Sequence, residues 1–369
     1  MTVITWIMAA FMLLAALDRI IGNKLGLGQE FENGIILLGT MSLSMVGMII
    51  IAPLIAELMQ PLFSLFPSWI DPSILPSAIF ANDMGGAPLA ISVARDADIG
   101  AFNGMVVTSM MGCTISFTIP FGLGCIPKSI HRDMLLGLLC GIITIPLGSF
   151  VGGLVAGLSP IALLINLIPL LLFSALIAFG ILRATELCIK IFNIIGLIIK
   201  AIITVGLAVG IFRFLCGVQL LPHVDTLENG VAIVLNACAV MTGTFPMIYL
   251  LSKLLNRPLR AVGKKIGING TSALGFVSSL ATSVTTFSMM EKMDRRGVVL
   301  NAAFLVSAGF IFTDHMAFTM AYKPEYLAAM IAGKAAAAIL ALALAIPVYN
   351  KVCKTASDTT TEAKEESHE

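Results

Sequence analysis

The sequence predicts an all-α polytopic membrane protein: two inverted repeats of about five hydrophobic segments each, with a matched pair of broken or re-entrant helices. Three observations carry this. Of 369 residues, 58% are hydrophobic and 12% charged, against about 45–50% and about 25% in soluble domains. The mean hydropathy of +0.99 is more than a water-exposed surface can carry. Finally, Phe31-Glu32-Asn33-Gly34 and Leu227-Glu228-Asn229-Gly230 open long apolar runs 196 residues apart. Nearly the same offset relates Phe80 to Phe276, Gly112 to Gly309 and Pro127 to Pro324. A register held that long points to duplication of a membrane unit, and duplicated halves usually enclose a pathway.

Taking about 20 apolar residues per crossing, eleven segments are expected, near 3–21, 33–57, 73–94, 100–125, 134–157, 160–182, 187–213, 229–252, 267–290, 298–321 and 326–350. The first has no Lys or Arg before its apolar run and leads directly into Asp18-Arg19, so it is expected as a retained span rather than a cleaved signal. Residues 1–157 form the first membrane repeat, 158–186 a linker span, and 187–350 the second repeat. Residues 351–369, rich in charge and hydroxyls, read as a disordered cytoplasmic tail. The seven cysteines are scattered without C-x-x-C spacing. Six read as small packing residues, and neither a disulfide framework nor a metal site or cofactor is called for. A net charge of +1 gives no reason to expect a nucleic-acid partner.

Loop charge bears on the number of crossings. If all eleven segments cross, the basic residues divide evenly between the two sides. If 73–94 and 267–290 each enter and leave on one side, one face keeps only Arg95, Arg213 and Lys323 of the loop and tail cations. That gives nine crossings, a cytoplasmic C-terminus, an outer N-terminus and repeats of opposite orientation. Discontinuous crossing helices fit the local sequence nearly as well.

Those two segments also carry the breaks. Ile79 to Leu89 contains Phe80, Asn82, Asp83, Gly85, Gly86 and Pro88, a poor helix. Phe276 to Thr286 carries Ser278, Ser279 and Thr282, hydroxyls able to satisfy an unwound backbone or meet a solute. Paired interruptions of this kind are the best sequence pointer to a transport site.

Asp83 and Asp314 are the acids well inside apolar runs, and each would cost about 2.5–3.5 kcal/mol facing lipid. Asp83 is read as a site carboxylate, or as the cap of a half-helix. Asp314-His315 is read as a proton relay or cation site, or as a pair reaching the interface. Glu32 and Glu228 are repeat-matched acids that either meet a solute or cap a first turn. Asn103, Asn236 and Asn301 suit interhelical hydrogen bonds better than ligands. Lys200 and Lys334 are expected to snorkel, with Lys334 alternatively pairing with an internal acid. Phe80, Phe276, Phe312 and Phe318 sit beside these polar positions in sequence and would suit a small organic ammonium. The four His (131, 223, 315, 368) are too dispersed for an enzyme reading.

Phe31-Glu-Asn-Gly, then Asp71 to Ala90 with Asn82-Asp83-Met84-Gly85-Gly86-Ala87, then Phe312-Thr-Asp-His-Met-Ala-Phe318 closely resemble the EutH family of ethanolamine utilisation proteins. The resemblance runs from Met1 to about Lys351. It implies a bacterial inner-membrane permease for ethanolamine that serves its breakdown, with ethanolamine and membrane lipids as partners. It supplies no residue-level mechanism. Alternating access is the expected mode; a passive channel or sensor for a small amine, or a carrier of another polar solute, remains open. The sequence is compatible with a homo-oligomer without specifying one.

A primary alkylamine with pKa near about 10.4 is almost wholly cationic at neutral pH, and its free base falls about tenfold per pH unit. Uptake by cells lacking this protein is therefore expected to fall more steeply with decreasing pH than uptake by cells having it. Equal slopes in a radiolabelled uptake series would contradict transport of the cation.

Overall fold

The computed structural model describes residues 3–63 and 66–365. It is built from helices, with no β-strand among the described residues. Helix α1 (Val3–Ile20) leads into α2 (Leu27–Met41), which runs through a π-helical turn (Ser42–Val46) into α3 (Gly47–Phe63). The short helices α4 (Ile74–Ile79) and α5 (Ala87–Val93) flank the first break. A long helix follows, from α6 (Ala97–Phe102) through π-helical backbone (Asn103–Gly112, Thr114–Thr118) to α7 (Ile119–Cys125). Then come α8 (His131–Val155), α9 (Pro160–Arg183), α10 (Thr185–Cys216) and α11 (Leu227–Lys265). Helices α12 (Gly270–Ala281) and α13 (Ser283–Met289) flank the second break, followed by α14 (Arg295–Ala308), α15 (Asp314–Tyr322) and α16 (Leu327–Glu365).

Seven helical stretches among the described residues are long and apolar enough to cross a membrane, from Leu27–Pro61 to Pro324–Lys351. The protein is thus a multi-pass, all-α membrane protein. The segment expected near 298–321 is not one helix: it is interrupted at 309–313, between α14 and α15. The expected tail from residue 351 begins within α16, and residues 366–369 lie outside those described.

Small residues set the packing, because contact between helices in lipid is driven by close backbone approach. Gly137 and Gly141 of α8 lie against Val299, Ala303 and Val306 of α14, while Gly148 and Gly152 lie against Ala329, Gly333 and Ala337 of α16. Between α3 and α10, Gly47 faces the backbone of Ile203 and Leu207, and Gly206 faces the Gly47 carbonyl. Leu164, Leu172, Leu197 and Phe214 of α9 and α10 are exposed, as suits a face in contact with lipid.

Each broken segment has its two ends tied together. In the first, the Asp71 carboxylate accepts hydrogen bonds from Ser73 N and Oγ and from Arg95 N and Asp96 N, at 2.5–3.0 Å. Arg95 also donates to the carbonyls of Phe63, Phe66, Pro67 and Ile70. In the second, Asp294 accepts from Asn269 N at 2.8 Å and Ser272 Oγ at 2.6 Å, and Asn269 Nδ2 donates to Lys292 O. Residues 71 and 95–96, like 269 and 292–294, therefore lie side by side.

The Asp71 neck sits where α3 ends. The chain entering α11 lies along α3 on this side, with His223 on Glu57 at 2.5 Å and Asp225 N donating to Ile50 O. The Asp294 neck sits where α11 ends and α8 begins, with Arg295 on Asp133 at 2.8 Å. The two necks are at opposite ends of the bundle.

Buried asparagines reinforce them. Asn103 donates to Ser73 Oγ at 2.8 Å and exchanges hydrogen bonds with Asn166, and Asn301 donates to the carbonyls of Ser272 and Gly297. Both serve as the interhelical ties their sequence context suggests; Asn236, by contrast, is exposed. Replacing Asp294 by Ala strands Asn269 N and Ser272 Oγ and uncaps α14, where Gly297 N also donates to Asp294. A loss of about 1–3 kcal/mol is expected, read as a lower midpoint in thermal unfolding of the purified protein in detergent; an unchanged midpoint would contradict the neck.

Candidate functional site

Helix α4 stops because Phe80 (ψ 137) and Ala81 (ψ 154) are extended, and Gly85 then takes a left-handed φ of 88. A side chain at Gly85 would also collide with Met48, so two constraints require glycine there. The turn puts Asn82 and Asp83 at the bend. Asn82 is fully buried and neither its Oδ1 nor its Nδ2 has a hydrogen-bond partner. Gly112 on the following helix leaves room for Phe80 O, where a Cβ would clash. Ser116 Oγ accepts from Ala81 N at 3.2 Å.

The second break is held differently. Helix α12 ends at Ala281, which strands its last carbonyls. Those carbonyls are taken up by the other interruption: Phe310 N donates to Ser279 O and Phe312 N to Leu280 O, each at 3.1 Å, and Thr313 Oγ1 donates to Ala281 O. Residues 309–313, themselves a break, thus pair with the break of the neighbouring hairpin. Thr282 is extended and caps α13 through Val284 N, while Ser283 Oγ is buried without a partner.

Just past Thr313 begins α15, whose first turn carries Asp314 and His315. The fully buried Lys334 of α16 donates to Ser109 O at 2.6 Å and to His315 Nδ1 at 3.0 Å. With Nδ1 accepting, a neutral His315 carries its hydrogen on Nε2, which lies 4.0 Å from Asp83 Oδ1. That gap is too long for a hydrogen bond, so the carboxylate of Asp83, 22% exposed, retains capacity for another donor. Asp314, half-buried, has no hydrogen-bond or ion-pair partner among the described residues and lies in electrostatic reach of Asp83. Phe310 covers this group: its ring is 5.5 Å from His315 and 5.5 Å from Phe117 and packs with Ala81 and Cys113.

A cleft of about 530 Å³ leads toward it from the end of the bundle that bears the Asp294 neck. Glu30, Asn33, Tyr249, Ser252 and Met289 line its mouth and walls, with Ser278, Ala281 and Thr282 at its inner end. The Thr313–Ala281 hydrogen bond therefore stands between the cleft and Asp314.

The structure brings Asn82, Asp83, Gly85, Gly86, Asp314 and His315 into one region, with the Ser279–Thr282 break alongside. Ser279 is committed to structure, donating to Gly275 O and sharing a hydrogen bond with Thr286 Oγ1, and Ser278 faces the cleft. Phe80 lies among Met48, Ile51 and Ile203, and Phe276 edge-on to Phe304, so neither ring faces the carboxylates. Phe312 packs with Ile311, Met316 and Leu327, and Phe318 stacks on Tyr322. Glu32 is ion-paired to Arg19 at 2.7 Å and Glu228 is exposed at the far end, both remote from the breaks. Lys200 is exposed, but the expected snorkelling of Lys334 is overturned: its ammonium is fully buried because Ser109 O and His315 hold it. Sequence reasoning missed Lys334 as a centre of the site, and it missed Phe310 and Thr313. A lysine amid Ala-Gly-Lys-Ala-Ala, with no polar neighbour to reach water, was the available signal.

Residues 1–348 match the family described as "Ethanolamine utilisation protein, EutH". The chain is 41% identical over 354 residues to the "Probable ethanolamine permease EutH" of Listeria monocytogenes, covering 95% of each chain. It is 35% identical to the Escherichia coli protein of that name, covering 98% of each, and 37% identical to an "Uncharacterized protein YxeR" of Bacillus subtilis, covering 93% of each. No solved structure matches it.

Removing one partner of a buried charged group leaves the other uncompensated, at a cost of about 3–5 kcal/mol. Lys334→Met is expected to lower the thermal midpoint strongly. Adding Asp83→Asn should recover part of that loss. Strictly additive losses in the double variant would show that the two residues do not interact.

Proposed function

The chain belongs to the EutH family of ethanolamine utilisation proteins, and from this we propose that it moves ethanolamine, as its ammonium cation, across the bacterial inner membrane by alternating access. The named relatives are permeases rather than enzymes. The observation that carries the reading is a charge count. Asp83 and Asp314 stand where the broken helices meet, with Lys334 as the buried counter-cation among the described residues. One carboxylate is left over, and an unpaired charge in an apolar interior is costly. A small ammonium is the complement.

Asp83 pairs with the ammonium in this reading, and the orphaned amide of Asn82 accepts or donates to the hydroxyl. Phe310 covers the carbon chain and offers its ring face to the cation. The two hairpins are re-entrant in the proposed topology, entering from opposite faces, and the repeats are inverted. The arrangement of necks at opposite ends supports this, as does the basic character of the loops on the Asp294 side, which is assigned to the cytoplasm. The cleft would then open inward, and release of Thr313 from Ala281 would connect the site to it.

Asp83→Asn is expected to weaken saturable uptake at least about tenfold, as befits loss of a charge-assisted contact worth about 1.5–3 kcal/mol. Membrane insertion should be unchanged. Uptake at normal affinity in that variant would reject the site. In proteoliposomes, unlabelled ethanolamine on the far side should stimulate entry of label; a passive pore would show no such stimulation.

A further inference from the structure

The same group of side chains carries a statement about energetics, one that rests on the cation-binding reading above. We infer that the protein exchanges one ammonium for one proton, so that the loaded and empty site carry the same charge through the membrane.

The argument starts from what faces Asp83 and Asp314. Asp83 lies on the first hairpin, Cys113 on the helix of residues 97–125, Asp314 and His315 on α15, and Lys334 on α16, with Cys238 of α11 in electrostatic reach of Asp314. Lys334 is fixed: two hydrogen bonds hold it and it has no route to water. Its ammonium offsets one carboxylate, and the other needs a mobile positive charge in every state that crosses the bilayer interior. When substrate is present, that charge is the ammonium. When it is absent, the carboxylates can take a proton.

His315 suits the transfer. Its Nδ1 is occupied by Lys334, and its Nε2 hydrogen faces Asp83 across a 4.0 Å gap wide enough to adjust. On binding from the outer side, the carboxyl O–H proton leaves to the outer water, and the amine keeps all three of its own hydrogens. After release, a carboxylate oxygen takes a proton back and the empty carrier returns. No charge moves in the full cycle. An ammonium inward with a proton outward is equivalent to movement of the free amine, yet it draws on the abundant cation. Such a carrier equilibrates the free base without using the membrane potential and works where the free base is scarce.

Proton release can be read directly on the purified full-length protein in weakly buffered detergent solution, with ethanolamine chloride as probe. Calorimetry in two buffers of different ionisation enthalpy counts the protons. About one proton per amine bound is expected near neutral pH. Asp314→Asn should bind more weakly and release about none, and so should the double variant Asp83→Asn, Asp314→Asn; release that persists in the double variant would mean the proton does not come from the carboxylates, and would overturn the inference. Wild-type proteoliposomes give a second measurement that needs no variant. An inside-negative potential of about 100 mV should leave the equilibrium amine ratio unchanged, whereas movement of the bare cation would raise it about 50-fold. Saturable binding without proton release overturns the exchange alone, and absence of saturable binding overturns the transport reading with it.

Discussion

Backbone groups cannot be left unpaired in hydrocarbon, and this architecture is organised around the places where helices stop short. Helix α12 ends at Ala281 with carbonyls unspent, and residues 309–313 present N–H groups and a hydroxyl freed by their own interruption. Each break is tolerable because the other is there. Broken alone, either segment would forfeit several hydrogen bonds in a medium with no water to replace them. The mutual pairing fixes α15 at a definite angle and depth, so it also fixes Asp314 and His315.

The first broken segment solves the same problem with different chemistry. Its hairpin break lies against Gly112, the counterpart of Gly309, but the helix bearing Gly112 does not open; it loosens into π-helical turns instead. Ser116 reaches Ala81 N, and glycine lets Phe80 O come close. The π-helical stretch also leaves Ser109 O to accept from Lys334.

Electrostatics then links the fold to function. With both carboxylates ionised, the buried lysine, the neutral histidine and the partly shielded Asp83 and Asp314 form a set that is short of one positive charge. In an aqueous cleft the deficit would be met by counterions at little cost. Between packed helices, in the proposed reading, it becomes a demand for a specific cation, and the neighbouring unsatisfied amide of Asn82 would take a hydroxyl or similar group. Stability and selectivity are two aspects of this deficit: whatever fills it also relieves the strain of burying it.

The sequence by itself determined the membrane class, the two glycine- and hydroxyl-rich interruptions and the acids beside them, because hydropathy, helix breaking and the cost of intramembrane charge are all local properties. It also indicated that Asn103 and Asn301 tie helices together. Only tertiary structure decided which polar residues meet. That Phe80 and Phe276 turn away while Phe310 turns inward depends on the packing of α3, α10 and α14. That Lys334 closes the charge count rather than reaching for the interface depends on a carbonyl 225 residues earlier in the chain. Glu32 and Glu228, so conspicuous as a repeated pair, each open a helix, and they lie at opposite ends of the bundle because α2 and α11 run antiparallel, with Gly34 against Thr242 and Gly230 against Val46.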